Sequence, residues 1–496
     1  MNQKIKTIPL IGYSNRLSVR PGEVISFKVS SESKSNFNAS LFRSFSSDPN
    51  PSGQGINEEK ADQFFSPKSF KSRKQDHFPG SYAISSKELK FSTSNNFKID
   101  VNFFNTLKNK SIQTIFNVDC LSIYISKSFK ISCRFYDQII QLPKIIKIRN
   151  WYKIKLEFNS LEKTLTLKQT DIKNSSLEFK QKININKIPK FVTGKVFISA
   201  EMAEKNVSNF FNGKIENPSI LIAEKKDVFK TLVRWDFSKS IPSSVISDLS
   251  KNKINLNIIN FPTRGVTGSK WDGSEMSWKH CPDHYTAIHF HEDDIYDFEW
   301  KTDFEFKVPK EMPSGIFVMR LVCGKYEDNI PFFVCPPKNK KTSDLCVIIP
   351  TFTYSVYGNH ARPDYKESWQ EKIKLWKAYP YNPAEFKSYG LSTYNFHTDG
   401  SGICHASYLR PLLNLKVGYL TFGMSNCSGL RHFQADSHLI SWLNNQKIEF
   451  DILTDEEVHN EKNEVLKNYK TVMTTTHPEY HTKETLNSYQ KYTDEG

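Results

Sequence analysis

One change in the pattern of apolar residues, near residue 340 of this 496-residue chain, constrains the fold more than any other feature. Before it, short runs of Ile, Phe, Val, Thr and Tyr alternate with Asn, Ser and Gly clusters, which is typical of β-strands joined by turns. After the Pro- and Lys-rich segment 336–341, Leu345–Ile349 is continuously apolar, as in a strand buried on both faces. Strand and helix patterns then alternate, which predicts crossover connections and a parallel sheet. The sequence therefore predicts a multidomain fold of the β plus α/β class.

The chain is expected to divide into four segments. Residues 1–50 are predicted to form the first strands of a β-sandwich, which residues 226–336 complete. Residues 63–225 contain many short strand patterns and almost no helix pattern, which predicts an inserted jelly roll of the concanavalin or laminin-G type. Residues 342–496 predict an α/β catalytic domain. Its parallel sheet is expected to be incomplete, because the last predicted helix leads into a turn where the chain ends.

The α/β segment has a simple predicted order. Asp436 is the expected N-cap of a helix that carries Leu439, Ile440 and Leu443 at helical spacing. The predicted order continues with a strand at 448–453, a helix at 455–469, a strand at 470–475 and a helix at 482–492. Ligands of open parallel sheets bind beyond the carboxyl ends of the strands. The loops after residues 349, 453 and 475 are therefore the candidate binding loops.

Composition excludes several classes of function. The net charge is +15, but the lysines are scattered among Asn, Ser and Ile, which argues against a nucleic-acid partner. The chain has no apolar run of the ~18–20 residues that a membrane helix needs, and no signal-peptide core at the N-terminus. Eight widely spaced cysteines without a C-x-x-C pair predict free thiols. We therefore expect a cytoplasmic protein that contacts neither nucleic acid nor membrane.

Phenol, carboxylate and imidazole groups are concentrated in two of these loops and in the Gly-rich stretch 390–402. The candidate side chains are Tyr354, Tyr357, Tyr394, His477 and Glu479. Phenolate and carboxylate are hard oxygen donors, which favour a hard Lewis acid over a soft or borderline metal. Spacing alone favours a different interpretation of the tyrosines, as half-buried aromatic side chains whose hydroxyls are hydrogen-bonded.

Three of these stretches resemble signature sequences of the N,N-dimethylformamidase large (catalytic) subunit family. They read Pro-Thr-Phe-Thr-Tyr at 350–354, Leu-Ser-Thr-Tyr-Asn-Phe-His-Thr-Asp-Gly-Ser-Gly at 391–402 and Thr-His-Pro-Glu-Tyr at 476–480. Further similar stretches lie at 11–22, 232–237, 262–268, 271–275, 287–294 and 431–433. The resemblance covers the whole chain and is weakest across 46–230. It implies a chain that is C-terminally truncated relative to that family.

The resemblance also implies a site and a reaction. Members of that family hydrolyse small N-alkylated amides, such as N,N-dimethylformamide, to formate and an amine at a mononuclear Fe(III) ion held by two tyrosines and one glutamate. Motif by motif, the ligands fall on Tyr354, Tyr394 and Glu479, with Tyr357 as the alternative to Tyr354. Glu479 and His477 are the implied catalytic residues, and His477 would move a proton or orient the water. A small subunit and homo-oligomerisation of the large subunit are the implied partners.

Three alternatives remain open at this stage. His289 and His291 lie on one face of a predicted strand near several acidic residues, which suggests either a zinc or calcium site or a structural hydrogen-bond cluster; the lack of paired ligand spacing favours the latter. Cys404 beside His405 suggests the thiol nucleophile of a glutamine-amidotransferase-like domain. The jelly roll suggests a non-catalytic glycan- or protein-binding protein.

Overall fold

The computed structural model describes residues 6–203, 206–225, 228–424 and 427–495, and most of its regular elements are β-strands. The chain forms two compact units. Unit 1 comprises residues 1–78, 296–396 and 402–496, and unit 2 comprises residues 79–295 and 397–401. The stretch 390–402, singled out by its polar and aromatic residues, therefore contributes to both units.

Two sheets of unit 1 form a β-sandwich. A three-stranded antiparallel sheet contains Leu10–Ser14, Val24–Ser31 and Phe304–Lys307. The second sheet follows the order Ser18–Val19, Tyr326–Val334, Gly315–Cys323, Phe37–Ser47 and Ile56–Lys60, with Lys68–Phe70 also paired to Phe37–Ser47. Phe27 of the first sheet packs against Phe332 of the second at 5.8 Å between ring centroids, and both are fully buried. Both sheets combine strands from the segment 1–50 with strands from the segment 226–336, the two segments expected to form one sandwich.

Unit 1 also contains a three-stranded parallel sheet. Leu345–Ile349 lies between Asp451–Thr454 and Thr471–Thr474 and runs parallel to both. The strand predicted at Leu345–Ile349 is present with those bounds. The α-helices of the unit are Thr351–Val356, Trp369–Leu375, Phe433–Asn445, Asp455–Glu461, Asn463–Leu466 and Lys483–Glu495, and its short 3-10 helices are Lys387–Tyr389 and Leu413–Leu415. Among the described residues, no helix is both long enough and apolar enough to cross a membrane.

Three predicted elements of this region differ in the structure. The segment after residue 350, predicted as a loop, begins as the helix Thr351–Val356. The helix predicted at 455–469 is interrupted at Lys462, whose φ of 58° does not fit a right-handed helix. Asp436 is not an N-cap, because its helix already begins at Phe433. The Asp436 carboxylate instead makes tertiary hydrogen bonds, which sequence periodicity does not predict.

Unit 2 is built from two large sheets. The first follows the order Gln138–Ile145, Lys130–Phe135, Leu121–Ile125, Gln113–Val118, Val196–Ile198, Tyr82–Ser85, Leu256–Ile259 and Val245–Ile246. The second follows the order Glu178–Asn184, Thr164–Asp171, Trp151–Asn159, Phe97–Asn105, Gly213–Lys225, Ala287–Phe290 and Thr263–Val266, with Val228–Arg234 also paired to Gly213–Lys225. Two small hairpins, Leu89–Ser92 with Phe191–Gly194 and Glu201–Ala203 with Asn206–Ser208, and the 3-10 helix Pro282–His284 complete the unit.

The observed boundaries of unit 2 differ from the predicted ones. The inserted segment was expected at 63–225, with residues 226–336 returning to the sandwich, but unit 2 extends from 79 to 295. Val228–Arg234 and Ala287–Phe290 both pair with Gly213–Lys225. The alternating pattern predicts where a strand lies and which face it buries, but not which strand it pairs with. The division at residue 225 was therefore wrong for these strands.

Candidate metal centre

Two neighbouring parallel strands carry the candidate site at their carboxyl ends. Leu345–Ile349 leads into the helix Thr351–Val356, and Thr471–Thr474 leads into the loop 475–482. The Thr353 hydroxyl oxygen accepts hydrogen bonds from the backbone N–H groups of Glu479 at 3.1 Å and Tyr480 at 3.3 Å. Because these bonds join the helix to the loop, they fix the position from which the Glu479 side chain extends.

Two phenols and one imidazole converge on the Glu479 carboxylate. Tyr357 donates a hydrogen bond to Oε2 at 2.8 Å and Tyr394 donates one to Oε1 at 3.0 Å. Nε2 of His477 lies 2.8 Å from Oε2. The Tyr357 and Tyr394 rings are stacked, with centroids 4.1 Å apart and planes inclined by 11°. The Tyr480 hydroxyl adds a further oxygen, 2.6 Å from that of Tyr394.

Tyr354, one of the predicted ligands, lies elsewhere in the unit. Its buried hydroxyl donates to the Asp436 carboxylate, which also accepts the Thr476 backbone N–H at 2.8 Å. The structure thus brings Tyr394, Glu479 and His477 together as the sequence predicted, with Tyr357 rather than Tyr354 bonded to Glu479. Tyr357 is three residues, about 4.5 Å of helical rise, further from the strand end, and a motif within a predicted loop does not reveal that difference. Tyr354 serves to position the loop through Asp436.

His432 and Arg431 belong to the site but were not predicted as functional residues. The His432 ring centroid lies 4.5 Å from that of Tyr357 and 5.6 Å from that of His477. The guanidinium of Arg431 lies over the Tyr357 ring, 4.4 Å from its centroid. His432 has a φ of 52°, a conformation that costs ~1–3 kcal/mol in a residue with a side chain. The signal available in the sequence was the similar stretch at 431–433, to which no role was attached.

The electrostatics of the cluster reflect its many oxygen atoms. Burial and the hydrogen bond with Tyr357 raise the pKa of Tyr394 to about 12, and the hydrogen bond with Tyr394 and burial raise the pKa of Tyr480 to about 12. Burial by itself would raise the pKa of Glu479. The hydrogen bonds from Tyr357, His477 and Tyr394 outweigh burial, so the pKa lies below its ordinary value. The resulting arrangement is an ionised carboxylate surrounded by protonated phenols. A bound cation would reverse the shift of the phenols.

The side chains present fit a hard metal ion. The convergent donors are phenol and carboxylate oxygens, which suit a hard Lewis acid. In addition, His432 Nε2 is buried and, among the described residues, has no hydrogen-bond partner. Burial, the Arg431 charge and the neighbouring His477 lower the pKa of His432 to about 3, so its ring is neutral at pH 7. A neutral ring nitrogen without a partner fits a site that holds a further group, such as a water molecule on a cation.

Asp455, the first residue of the helix Asp455–Glu461, supports the start of the helix Thr351–Val356. Its Oδ2 accepts the Phe352 backbone N–H at 3.0 Å, whereas its buried Oδ1 has no partner among the described residues. Burial raises the pKa of Asp455 to about 7, with a hydrogen bond from Phe352 that lowers it and the Glu457 charge that raises it. The carboxyl group therefore binds a proton more tightly in the folded chain than an exposed aspartate does.

This shift predicts a pH dependence of stability. Between about pH 4, where an unfolded aspartate titrates, and about pH 7, the folded chain holds one proton more than the unfolded chain, so the free energy of unfolding falls as pH rises. The variant Asp455→Asn lacks this proton and should gain stability relative to the wild type across that window, by roughly 1.4 kcal/mol for each unit of pKa shift. Urea unfolding at pH 4.5, 6 and 8 measures the difference, and parallel curves for the two proteins would contradict the assignment.

Comparison with known proteins bears on this site. Residues 263–496 match the model of a family described as N,N-dimethylformamidase beta subunit-like, C-terminal. The chain is similar to N,N-dimethylformamidase beta subunits. It is 28% identical over 544 residues to the beta subunit from Paracoccus aminophilus, covering 99% of this chain and 71% of the relative. The beta subunit from an Alcaligenes species is 28% identical over 551 residues, with the same coverage. The relatives are named as beta subunits, whereas the motifs in the sequence predicted resemblance to a large subunit.

Solved structures give weaker matches. A putative carbohydrate-binding protein from Bacteroides ovatus matches with a TM-score of 0.30 and 12% identity over 48% of this chain and 68% of that chain. The CBM40 domain of the Ruminococcus gnavus IT-sialidase matches with a TM-score of 0.22 and 13% identity over 27% of this chain and 90% of that chain. At these TM-scores, neither match bears on the fold or function of the chain.

Cys404, the alternative nucleophile, is exposed, and its thiol contacts the Gly402 carbonyl oxygen at 3.6 Å. All eight cysteines lie in described parts of the chain and are free thiols, as predicted.

Proposed function

We propose that this chain hydrolyses small N-alkylated amides, such as N,N-dimethylformamide, to formate and an amine at a mononuclear ferric ion held by Tyr357, Tyr394 and Glu479. The observation that carries the proposal is the convergence of two phenol hydroxyls on one carboxylate, at 2.8 and 3.0 Å, beyond the carboxyl ends of parallel strands. The names of the relatives supply the substrate class. The proposal replaces Tyr354 with Tyr357 in the ligand set that the sequence suggested.

The reaction is a hydrolysis without net oxidation or reduction. A water oxygen forms a bond to the amide carbonyl carbon, the C–N bond breaks with its electron pair on nitrogen, and a water proton ends on the departing amine. A bound ferric ion would supply Lewis acidity, which polarises an amide carbonyl and lowers the pKa of a water molecule. The chain must therefore hold the oxygen donors in place and move one proton.

His477 is the residue proposed to move that proton. Its Nε2 lies 2.8 Å from Glu479 Oε2, and its side chain is 39% exposed, so it can meet both the metal ligand and an incoming substrate. Positioned acid–base groups of this kind contribute about 100- to 10,000-fold to rate. The unpartnered Nε2 of His432 is placed to accept a hydrogen bond from the water and so to orient it.

The remaining features of the proposal concern assembly and fold. Because the proposed ligands all lie in this one chain, we infer that it is the catalytic subunit. The relatives are named as subunits, which suggests a second subunit as a partner, and we propose homo-oligomerisation as well. We also infer that the two large sheets of unit 2 form a jelly roll of the concanavalin type, with a role in packing or assembly.

Metal binding and activity of the purified full-length chain test the proposal. We expect about one iron per chain, a visible phenolate-to-iron charge-transfer band, and release of formate from N,N-dimethylformamide. Glu479→Gln should lose the band, because a neutral amide is a much poorer ligand for a hard cation than a carboxylate. Iron content by mass spectrometry and the absorption spectrum measure these effects.

The exposed Cys404 provides the matched control. Cys404→Ser should keep the iron, the band and any amidase activity, whereas a thiol-dependent enzyme would lose its activity. A colourless chain that binds no iron after loading with ferric salt would refute the proposed centre, whatever its partner subunits.

A further inference from the structure

Unit 2 contains a second group of potential metal ligands, built from His291, Asp294 and His397. His291 follows the strand Ala287–Phe290, and His397 comes from the segment 397–401 of the same unit. His291 Nδ1 lies 3.0 Å from Asp294 Oδ2, and His397 Nε2 lies 3.6 Å from Asp294 Oδ1. The two imidazole rings are stacked, with centroids 3.7 Å apart and planes inclined by 6°. One ligand atom from each residue lies within 4.8 Å of the others.

These separations suit a single ion. Metal–ligand bonds of about 2.0–2.2 Å at tetrahedral angles place neighbouring ligand atoms roughly 3.3–3.5 Å apart. All three side chains are almost completely buried, with exposures of 1% for His291, 9% for Asp294 and 3% for His397. Because an imidazole nitrogen binds a metal in the plane of its own ring, one of the two parallel rings must turn for both nitrogens to face the same ion.

One atom of the group lacks a partner. Within the described parts of the chain, the buried Nε2 of His397 has no hydrogen-bond partner, although the ring is held tightly by its other nitrogen. A buried ring nitrogen that neither donates nor accepts a hydrogen bond is unfavourable. This nitrogen faces Asp294 beyond hydrogen-bonding distance, which is the arrangement expected where an ion belongs between the two groups.

Outer hydrogen bonds occupy one nitrogen of each imidazole and leave His291 Nδ1 and His397 Nε2 on the side of Asp294. His397 Nδ1 lies 2.8 Å from Asp293 Oδ1, and His291 Nε2 lies 2.9 Å from the Ser401 hydroxyl. Metal-binding histidines almost always use the second ring nitrogen in this way, because the outer bond fixes the tautomer and the ring orientation. The Ser81 hydroxyl donates to Asp294 Oδ2 at 2.6 Å and fixes the carboxylate.

The neighbouring pair of His289 and Asp399 has a different character. His289 Nε2 lies 3.0 Å from Asp399 Oδ2, and the same carboxylate accepts hydrogen bonds from Thr106 and Ser401. Because the Asp399 carboxylate already has several hydrogen-bond partners, we interpret this pair as a structural support for the segment 397–401. His291, Asp294 and His397 are the residues left to bind an ion.

We propose that His291 Nδ1, His397 Nε2 and the Asp294 carboxylate bind one divalent ion of the zinc class. Two imidazoles and a carboxylate suit borderline divalent metals, in contrast to the hard oxygen donors around Glu479. The alternative occupant is a proton that makes His397 an imidazolium between Asp293 and Asp294. The sequence favoured a structural hydrogen-bond cluster here because His397 lies more than 100 residues after Asp294 and was not recognised as a member.

Zinc binding by the full-length chain tests this site independently of the proposed iron centre. The Glu479→Gln chain, whose carboxylate at the other centre is lost, is treated with a chelator, dialysed against Zn²⁺ and washed. We expect one zinc per chain, a zinc absorption-edge spectrum with two imidazole ligands, and a rise in melting temperature on adding Zn²⁺. No zinc and no thermal shift would overturn the proposal and leave the imidazolium as the occupant.

Variants locate the zinc within unit 2. In the same background, His397→Gln should lose the bound zinc, and Asp293→Asn should weaken it by about 10- to 100-fold through the outer hydrogen bond. The matched control is His280→Gln, because His280 is in the same unit, is 71% exposed and has its Nδ1 3.2 Å from Glu275 Oε2. Zinc retained in His397→Gln but lost in His280→Gln would overturn the assignment. If His397→Gln does not fold, Asp294→Asn replaces it in the zinc-binding measurement. A zinc absorption-edge spectrum of the Glu479→Gln chain that shows no imidazole ligands would also overturn the assignment.

Discussion

Replacing Tyr357 by phenylalanine is expected to weaken and shift the phenolate-to-iron absorption band, with Tyr394 left as the second phenolate, and to reduce iron affinity by more than the roughly 10- to 100-fold that loss of a merely supporting hydrogen bond costs. The Tyr357 hydroxyl is the donor 2.8 Å from Glu479, so the variant loses one of the three proposed ligand oxygens. The stacked ring of Tyr394 retains its neighbour because phenylalanine has the same ring. Iron content, the visible spectrum and formate release from N,N-dimethylformamide measure the effect.

Tyr354→Phe is the matched comparison, because it removes a hydroxyl from the same short helix, three residues away. We expect this variant to keep its iron and its band, because the Tyr354 hydroxyl donates to Asp436. Its free energy of unfolding should be lower by about 1–3 kcal/mol, because the buried Asp436 carboxylate loses a hydrogen-bond donor. Loss of iron and a changed band in Tyr354→Phe, with iron content and band unchanged in Tyr357→Phe, would restore the ligand set that the sequence first suggested.

The second large effect is expected at a buried ion pair in unit 1. Lys416 Nζ lies 2.8 Å from Asp328 Oδ2, and the two side chains are 3% and 0% exposed. Lys416→Met should destabilise the unit by about 3–5 kcal/mol, because the Asp328 carboxylate is left buried without a counter-charge. Tyr379 and the Gly12 backbone N–H still donate to that carboxylate, but neither carries a positive charge. Urea unfolding followed by tryptophan fluorescence measures the loss.

An exposed pair in the same unit provides the control. Lys470 contacts Asp344 at 2.6 Å, but the two side chains are 77% and 55% exposed. Lys470→Met should leave the free energy of unfolding nearly unchanged, because water screens the pair. Equal losses for the two methionine variants would contradict the role given to the buried pair.

The sequence was informative where burial alone sets the local structure. Leu345–Ile349 is apolar throughout because both faces of a central parallel strand are covered, and its bounds were predicted without error. Because ligands of parallel sheets bind beyond the carboxyl ends of the strands, Glu479 and His477 were expected near the phenols of the first loop. In the structure, Glu479 is hydrogen-bonded to Tyr357 and lies 2.8 Å from His477. Iron itself came from resemblance, and stays a proposal.

Contacts between distant segments were beyond the sequence. The choice between Tyr354 and Tyr357 depends on how far along a short helix each hydroxyl lies and on the presence of Asp436, more than 70 residues later. His432 lies next to Tyr357 only because of the tertiary fold. The strands after residue 225 could not be assigned to a sheet, because alternation does not identify a pairing partner.

By itself, the sequence determined the strand Leu345–Ile349, the two strands that run parallel to it and the loops from which a site could be built. Those features depend on local hydrophobic periodicity, which can be read directly from the order of apolar and polar residues. Only the tertiary structure decided which oxygen and nitrogen atoms meet, at Glu479 and again at His397. Such meetings depend on packing to within about an ångström between segments that are far apart in sequence, and no local pattern encodes that distance.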